Sequence, residues 1–138
     1  MTFAPHLVDF VGDWRVSRSI EDRLSALVGQ FDGTARFERT AAGLTYCEAG
    51  QLRCGAGTPL YAERRYLWRA DAGLIVVEYA DGRTFHSFDP AQPEARHWCD
   101  PDDYRVSYVF SNWPVWRTEW VVKGPRKDYT MKTSYEPV

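Results

Sequence analysis

Four side chains in this sequence hold most of its chemical potential: Arg18, Glu48, Arg64 and His86. A guanidinium presents a planar fork that fits a carboxylate, a phosphate or an enolate, and a carboxylate can hold that fork in place. An imidazole can donate one hydrogen bond and accept another near neutral pH, or act as a general acid or base. Drawn as strands with side chains alternating between two faces, the chain puts these four residues on the same face as Trp14, Tyr46, Tyr66 and Trp68. Charged groups are seldom buried unless they are paired or border a wet, ligand-holding space. Two arginines against one glutamate leave a positive charge for a bound anion to neutralise. Tyr46, Tyr66, Tyr104 and Tyr108 add phenol groups that can hydrogen-bond a ligand oxygen and rings that pack against its apolar part. The competing reading of the charges is a structural ion pair, and of the phenols plain core packing. The expected ligand-binding set is Arg18, Glu48, Arg64, Tyr46, Tyr66, Trp68, His86, Tyr104 and Tyr108.

Other reactive residues form weaker patterns. His97, Cys99, Asp100, Asp102 and Asp103 mix soft and hard metal ligands, but His-x-Cys has no second Cys-x-x-Cys half, so no metal is expected. Asp100-Pro101 and the acids after it suit ordinary turn chemistry. Cys99 with His97 so close in a loop does not make a nucleophile and its base. Gly124-Pro125-Arg126-Lys127 lacks a following helix and the spacing of a phosphate loop, and reads as a hairpin turn. No cofactor is expected.

The elements that must position these groups follow from composition and turn signals. The 138 residues suffice for one domain, residues 1–138, with a proper core. A balance of 17 basic and 19 acidic residues, net −2, gives no basic surface for nucleic acid. The opening Met1 to His6 has no basic stretch leading into an apolar one, and runs such as Leu74 to Val77 are too short to span a bilayer. A cytoplasmic protein with three free thiols, Cys47, Cys54 and Cys99, and no membrane partner is expected. The aromatic share of 15% suits strands and argues against disorder.

A first strand covers Trp14 to Ile20, with Trp14, Val16, Arg18 and Ile20 inward. In the segment Glu21 to Gln30, Leu24, Leu27 and Val28 stand at helical spacing and predict a short helix or lid. Thr40-Ala41-Ala42-Gly43 and Ala70-Asp71-Ala72-Gly73 both read as four-residue hairpin loops. The first sets Phe37 opposite Tyr46 and Ala35 opposite Glu48. The turn Arg53 to Pro59 sets Glu48 opposite Arg64. The second sets Trp68 opposite Ile75 and Tyr66 opposite Val77. Asp81-Gly82, as a two-residue turn, sets Val77 opposite His86 and Ile75 opposite Phe88. Residues directly opposed share a face, so one inward set passes through six strands without conflict. Asp89 to Asp103 reads as a long polar loop. Three more strands follow, with Tyr104, Val106, Tyr108, Phe110, Trp116, Trp120, Val122, Tyr129, Met131 and Tyr135 inward. The fold class is all-β: an antiparallel up-and-down barrel of about nine strands, closed to remove its edges and wide enough for one small ligand.

The stretch Phe10-Val11-Gly12-Asp13-Trp14 resembles the Gly-x-Trp opening of lipocalin-like (calycin) barrels. A wider set resembles one bacterial family of small uncharacterised proteins, a domain of unknown function with such a barrel. Its pieces are Gly12-x-Trp14, Arg18-x-Ile20-x-Asp22, Tyr46-x-Glu48-x-Gly50, Arg64-Arg65-Tyr66-x-Trp68, Phe85-His86-x-Phe88, His97-Trp98-Cys99-x-x-Asp102-x-Tyr104 and Gly124-Pro125-x-Lys127-Asp128-Tyr129. The resemblance implies a fold and no activity, so function rests on the site. The leading expectation is a binder of a small, partly apolar, anionic molecule, with Arg18 and Arg64 on the anionic group and Glu48 orienting Arg64. The alternative is a cofactor-independent enzyme, since the Arg-Glu-Tyr set is similar in chemistry to that of phenolic acid decarboxylases of this barrel type. There Glu48 or His86 would handle the proton. Haem binding through His86, as in nitrobindin-type barrels, lacks the proline-bearing motif expected after the first Trp.

Overall fold

The computed structural model describes residues 3–138; Met1 and Thr2, part of the stretch read for a leader, lie outside the described residues. Among the described residues a single 3-10 helix, Leu7–Phe10, precedes ten strands. These are β1 (Gly12–Asp22), β2 (Leu27–Arg39), β3 (Leu44–Cys54), β4 (Leu60–Asp71), β5 (Leu74–Tyr79), β6 (Thr84–Phe88), β7 (Glu94–Cys99), β8 (Asp102–Val109), β9 (Trp116–Gly124) and β10 (Lys127–Pro137). Each pairs antiparallel with its neighbours in the order β6-β5-β4-β3-β2-β1-β10-β9-β8-β7. Because β1 pairs with β10 as well as with β2, the sheet curls into a nearly closed barrel. Its two edges are β6 and β7. No strand ladder joins them, and they meet through side chains such as Phe85 and His97, whose ring centroids lie 5.5 Å apart.

Alternation decides what lies inside. Along β1, Trp14, Val16 and Arg18 are buried and Asp13, Arg15, Ser17 and Ser19 are exposed. Such a strand cannot slip by one residue without turning its aromatic set to water. The 3-10 helix closes one end. Phe10 is fully buried and meets the rings of Phe37, Trp68, Phe110, Trp113 and Trp116, while its carbonyl accepts the Trp14 indole N–H at 2.8 Å. Gly33 and Gly50 face each other where β2 crosses β3. A Cβ on Gly33 would lie 2.1 Å from the Ala49 carbonyl oxygen, so only glycine lets the two backbones approach this closely.

Four expectations are corrected. The segment after the first strand holds no helix. β1 and β2 are joined by a tight turn; Leu24 is exposed in it and Leu27 and Val28 are exposed at the start of β2, because their apparent helical spacing spans a hairpin. The predicted long loop contains β7, which makes ten strands rather than nine. Ala95 and His97 alternate inward with exposed Glu94, Arg96 and Trp98, and the polar character of this edge strand hides its period. The β4–β5 loop has two residues, not four. Ala72 (φ 51°) and Gly73 (φ 83°) are both left-handed, as a type I′ turn requires, and Asp71 pairs with Leu74. Trp68 therefore faces Val77 and Tyr66 faces Tyr79, a shift of two that keeps every side chain on its face. The β5–β6 turn has three residues, Ala80 to Gly82, closed by the Tyr79 N–H donating to the Arg83 carbonyl. A bulge then takes up the extra residue. Glu78 pairs with Thr84, but Val77 pairs with His86, as the sequence register expected, and Ile75 with Phe88.

Candidate functional site

The bulge in β6 shapes the site. Phe85 is the residue without a partner across the ladder, and both it and His86 are buried. Two consecutive inward side chains break strand alternation, as a bulge allows. Phe85 stacks on Trp120 of β9 (5.0 Å between centroids, planes 7° apart) and on Tyr79 (4.8 Å). His86 lies edge-on to Trp120, and its Nε2 is 2.8 Å from the Tyr108 hydroxyl of β8.

These side chains line a cavity of about 280 Å³. All nine residues expected from the sequence border it: Arg18, Tyr46, Glu48, Arg64, Tyr66, Trp68, His86, Tyr104 and Tyr108. Arg18, Tyr46, Glu48, Trp68, His86 and Tyr108 are buried, Tyr66 and Tyr104 half-buried, and Arg64 exposed, so the cavity opens past Arg64. Phe85, Tyr79, Thr118 and Thr133 also line it and were not picked out by their sequence pattern. Phe85 is hidden by the bulge and the threonines by their modest polarity, while Tyr79 follows Ile75 and Val77 on the inward face but stands at the last position of β5, beside the turn. Trp116, Trp120, Tyr129, Met131 and Tyr135 were expected inward as core and border the cavity too.

The charged pairing differs from the expected one. Glu48 and Arg64 are directly opposed across β3 and β4. The Glu48 carboxylate, however, is taken by Arg18 of β1, on the far side of β2, in a two-pronged contact of 2.7 and 2.9 Å. Arg18 Nε donates to Thr133 Oγ1 at 2.8 Å, and the Tyr46 hydroxyl donates to Glu48 Oε1 at 2.5 Å. The Tyr135 hydroxyl lies 3.1 Å from Tyr46. Since the Tyr46 proton is spent on the carboxylate, Tyr135 is the donor in that contact. The network is closed on itself, which is what a buried pair needs to offset its desolvation. Burial alone would raise the Glu48 carboxyl, but the hydrogen bonds and charge of Arg18 outweigh it and hold the group below its usual range. Arg18 is held charged by the same carboxylate against the opposing effect of burial. Burial, with neighbouring Tyr135 and Glu48, pushes the Tyr46 phenol well up.

Arg64 has no ion-pair partner among the described residues, though its charge acts on Glu48. Glu48 thus orients Arg18 rather than Arg64, because the β1 strand brings Arg18 to it fork-on. His86 is buried and neutral. Desolvation, helped by His97, pushes it down to about 3. Two polar atoms among these side chains are buried without a partner: His86 Nδ1 and Trp116 Nε1. His97 and Cys99 lie on β7, Cys99 exposed. Asp103 on β8 is held by Arg96 and Arg105, and Asp102 by Lys127. The three cysteines are free.

No helix among the described residues is long and apolar enough to cross a membrane. No curated protein matches the chain. Among solved structures, an S-type phycobiliprotein lyase, CPES, from Guillardia theta is similar in fold. It superposes with a TM-score of 0.60 at 9% identity, over 94% of this chain and 87% of the lyase. A Nitrosomonas europaea protein provisionally described as AttH aligns with a TM-score of 0.32 at 11% identity, over 96% of this chain and 51% of its own. One family model runs from Phe10, which plugs the barrel floor, to the last residue of β10: it matches residues 10–137, and the chain belongs to the family of unknown function DUF6314.

Proposed function

We propose that this protein binds a small, partly apolar, anionic molecule inside the barrel, the anionic group against Arg64 and the apolar part between the aromatic walls. The observation that carries this reading is the charge balance of the cavity. Arg18 and Glu48 cancel each other in a closed network, and Arg64 stands unpaired where the cavity opens. A cation beside a low-dielectric, aromatic-lined space favours an anion with a ring attached. A volume of about 280 Å³ supports a ligand of one or two rings. The fold likeness to the phycobiliprotein lyase is in keeping with such a barrel working on a small molecule.

Catalysis by the same residues has less support. Proton transfer asks for a group that changes charge near the working pH. The Glu48 oxygens are committed to Arg18 and Tyr46, and His86 stays neutral down to about 3. Binding is tested by titrating aryl carboxylates such as benzoate and 2-naphthoate into the protein by calorimetry. Arg64→Met should weaken them at least tenfold while leaving the melting temperature near that of the unaltered chain, as expected for an exposed residue outside the buried network. Unchanged affinity in Arg64→Met would reject the reading.

A further inference from the structure

We propose that the buried part of the cavity is a donor subsite for a carbonyl-type oxygen, formed by the His86–Tyr108 pair and the Trp116 indole N–H. The proposal rests on the anionic-ligand reading above and extends it to the ligand's other end: an acid bearing a ketone, aldehyde or amide.

The argument is a count of protons. His86 is 5% exposed and Tyr108 5% exposed, and they share one hydrogen bond of 2.8 Å between Nε2 and the hydroxyl. A neutral imidazole and a phenol together carry two N–H or O–H protons. One is used between them in either tautomer. If Tyr108 donates to Nε2, the proton left over is on His86 Nδ1. If Nε2 donates to Tyr108, it is the phenol's own. Both ways the pair retains one donor with no protein acceptor, since neither His86 Nδ1 nor the Tyr108 hydroxyl has another partner. Trp116 Nε1 is a donor only, and it too is buried without a partner, in a residue 1% exposed. Its ring is fixed by stacking on Tyr135 at 3.8 Å with planes 5° apart. Both residues line the same cavity.

Buried donors left unpaired are costly, and native interiors seldom tolerate them unless a ligand or water completes them. Both spare groups here are donors, and both are neutral. An oxygen with lone pairs and no full charge is their complement. An anion is better served by Arg64 at the opening, where its charge meets a cation rather than two neutral dipoles. Stacked aromatic walls between the two ends, Phe85 on Trp120 among them, supply the flat middle. His86 is held neutral by its burial, so the subsite stays a hydrogen-bonding one across the physiological range and does not become a second cation.

Two near-isosteric acids separate the possibilities: 4-acetylbenzoate, with a carbonyl at the far end, and 4-isopropylbenzoate, with a methyl in its place. Calorimetry on the full chain should show the ketone binding about tenfold tighter or more, because only it completes the donors. The preference should fall toward unity in His86→Phe and shrink in Trp116→Phe. Arg64→Met should weaken both acids and leave their ratio unchanged. Since Trp116 is packed deep in the core and its variant could fail to fold, the unaltered protein gives an independent readout. With ¹⁵N-histidine labelling, the ring nitrogens of His86 should shift on adding 4-acetylbenzoate and stay in place with 4-isopropylbenzoate. Equal affinity for the two acids, as a resident water on the donors would produce, overturns the subsite and leaves the cavity reading standing. A ketone preference that persists in His86→Phe also overturns it. If neither acid binds, the anionic-ligand reading fails and this inference with it.

Discussion

At the scale of single residues, the arginines expected to act together have separate tasks. Arg18 is structural in position, with three of its nitrogens engaged by Glu48 and Thr133, whereas Arg64 is free. Their variants should behave oppositely. Arg18→Met leaves Glu48 buried without its partner and should cost about 3–5 kcal/mol in denaturant unfolding, while Arg64→Met should touch binding and not stability. His86 gives the protein an acid-sensitive point. Its folded value of about 3 lies below that of an unfolded histidine, near 6.5. Below about pH 6.5 the unfolded chain takes up a proton that the folded one refuses. The stability is therefore complete above that pH and is lost progressively as pH falls toward 3. His86→Phe should flatten this part of the stability profile, measured by urea titrations at pH 7, 6, 5 and 4. Outside the β6 bulge and β7, which residues face inward was legible in the sequence, because alternation is a local property. Which arginine meets Glu48 was not, because Arg18 and Glu48 lie on β1 and β3, which flank β2 without pairing with each other, so no hairpin register sets the two side by side.

The elements show where local reading succeeds and where it stops. The registers of β2 on β3 and β3 on β4 were readable from turn length alone, since residues opposed across a hairpin are set by the loop that joins them. At β4–β5 the same reasoning counted the loop two residues too long. Ala72 adopts a positive φ of 51° that alanine disfavours, so the sequence Ala-Gly does not advertise a type I′ turn as Asn-Gly would. Ala72→Asn should relieve this and raise stability by about 0.5–1 kcal/mol, with binding unchanged. The β6 bulge is a subtler case. The register past it was correct for the wrong turn, because a three-residue loop followed by one bulged residue leaves His86 opposite Val77, just as a two-residue loop would. The one visible consequence is Phe85, which the alternation put outside and the bulge turns inward to stack on Trp120. β7 was missed because half of an edge strand faces water and its polar residues look like a loop.

For the whole molecule, the nearly closed barrel was legible as a class, but the place of its seam was not, since pairing of β1 with β10 joins residues far apart in the chain. The seam between β6 and β7 has side-chain contacts but no ladder of hydrogen bonds. Amides on the unpaired edges of those two strands should exchange with deuterium faster than those of β1, β2, β3 and β10, which are paired on both sides. Equal protection across all ten strands would mean that β6 and β7 do pair in solution. The seam has a further consequence for how the chain is ordered. The sheet is a strip whose physical ends are β6 and β7, yet the strands that hold the chain's own ends, β1 and β10, sit side by side in its middle, and the Val138 N–H reaches the Asp13 carbonyl at 3.3 Å. Covalent order and spatial order are thus offset by half a turn of the barrel. A circular permutant with the old termini linked and new ones opened at Ala91 would run edge to edge along the strip, keeping all nine strand pairings. It should retain the barrel's circular dichroism, whereas one opened in the β2–β3 turn would set a paired strand at each new end.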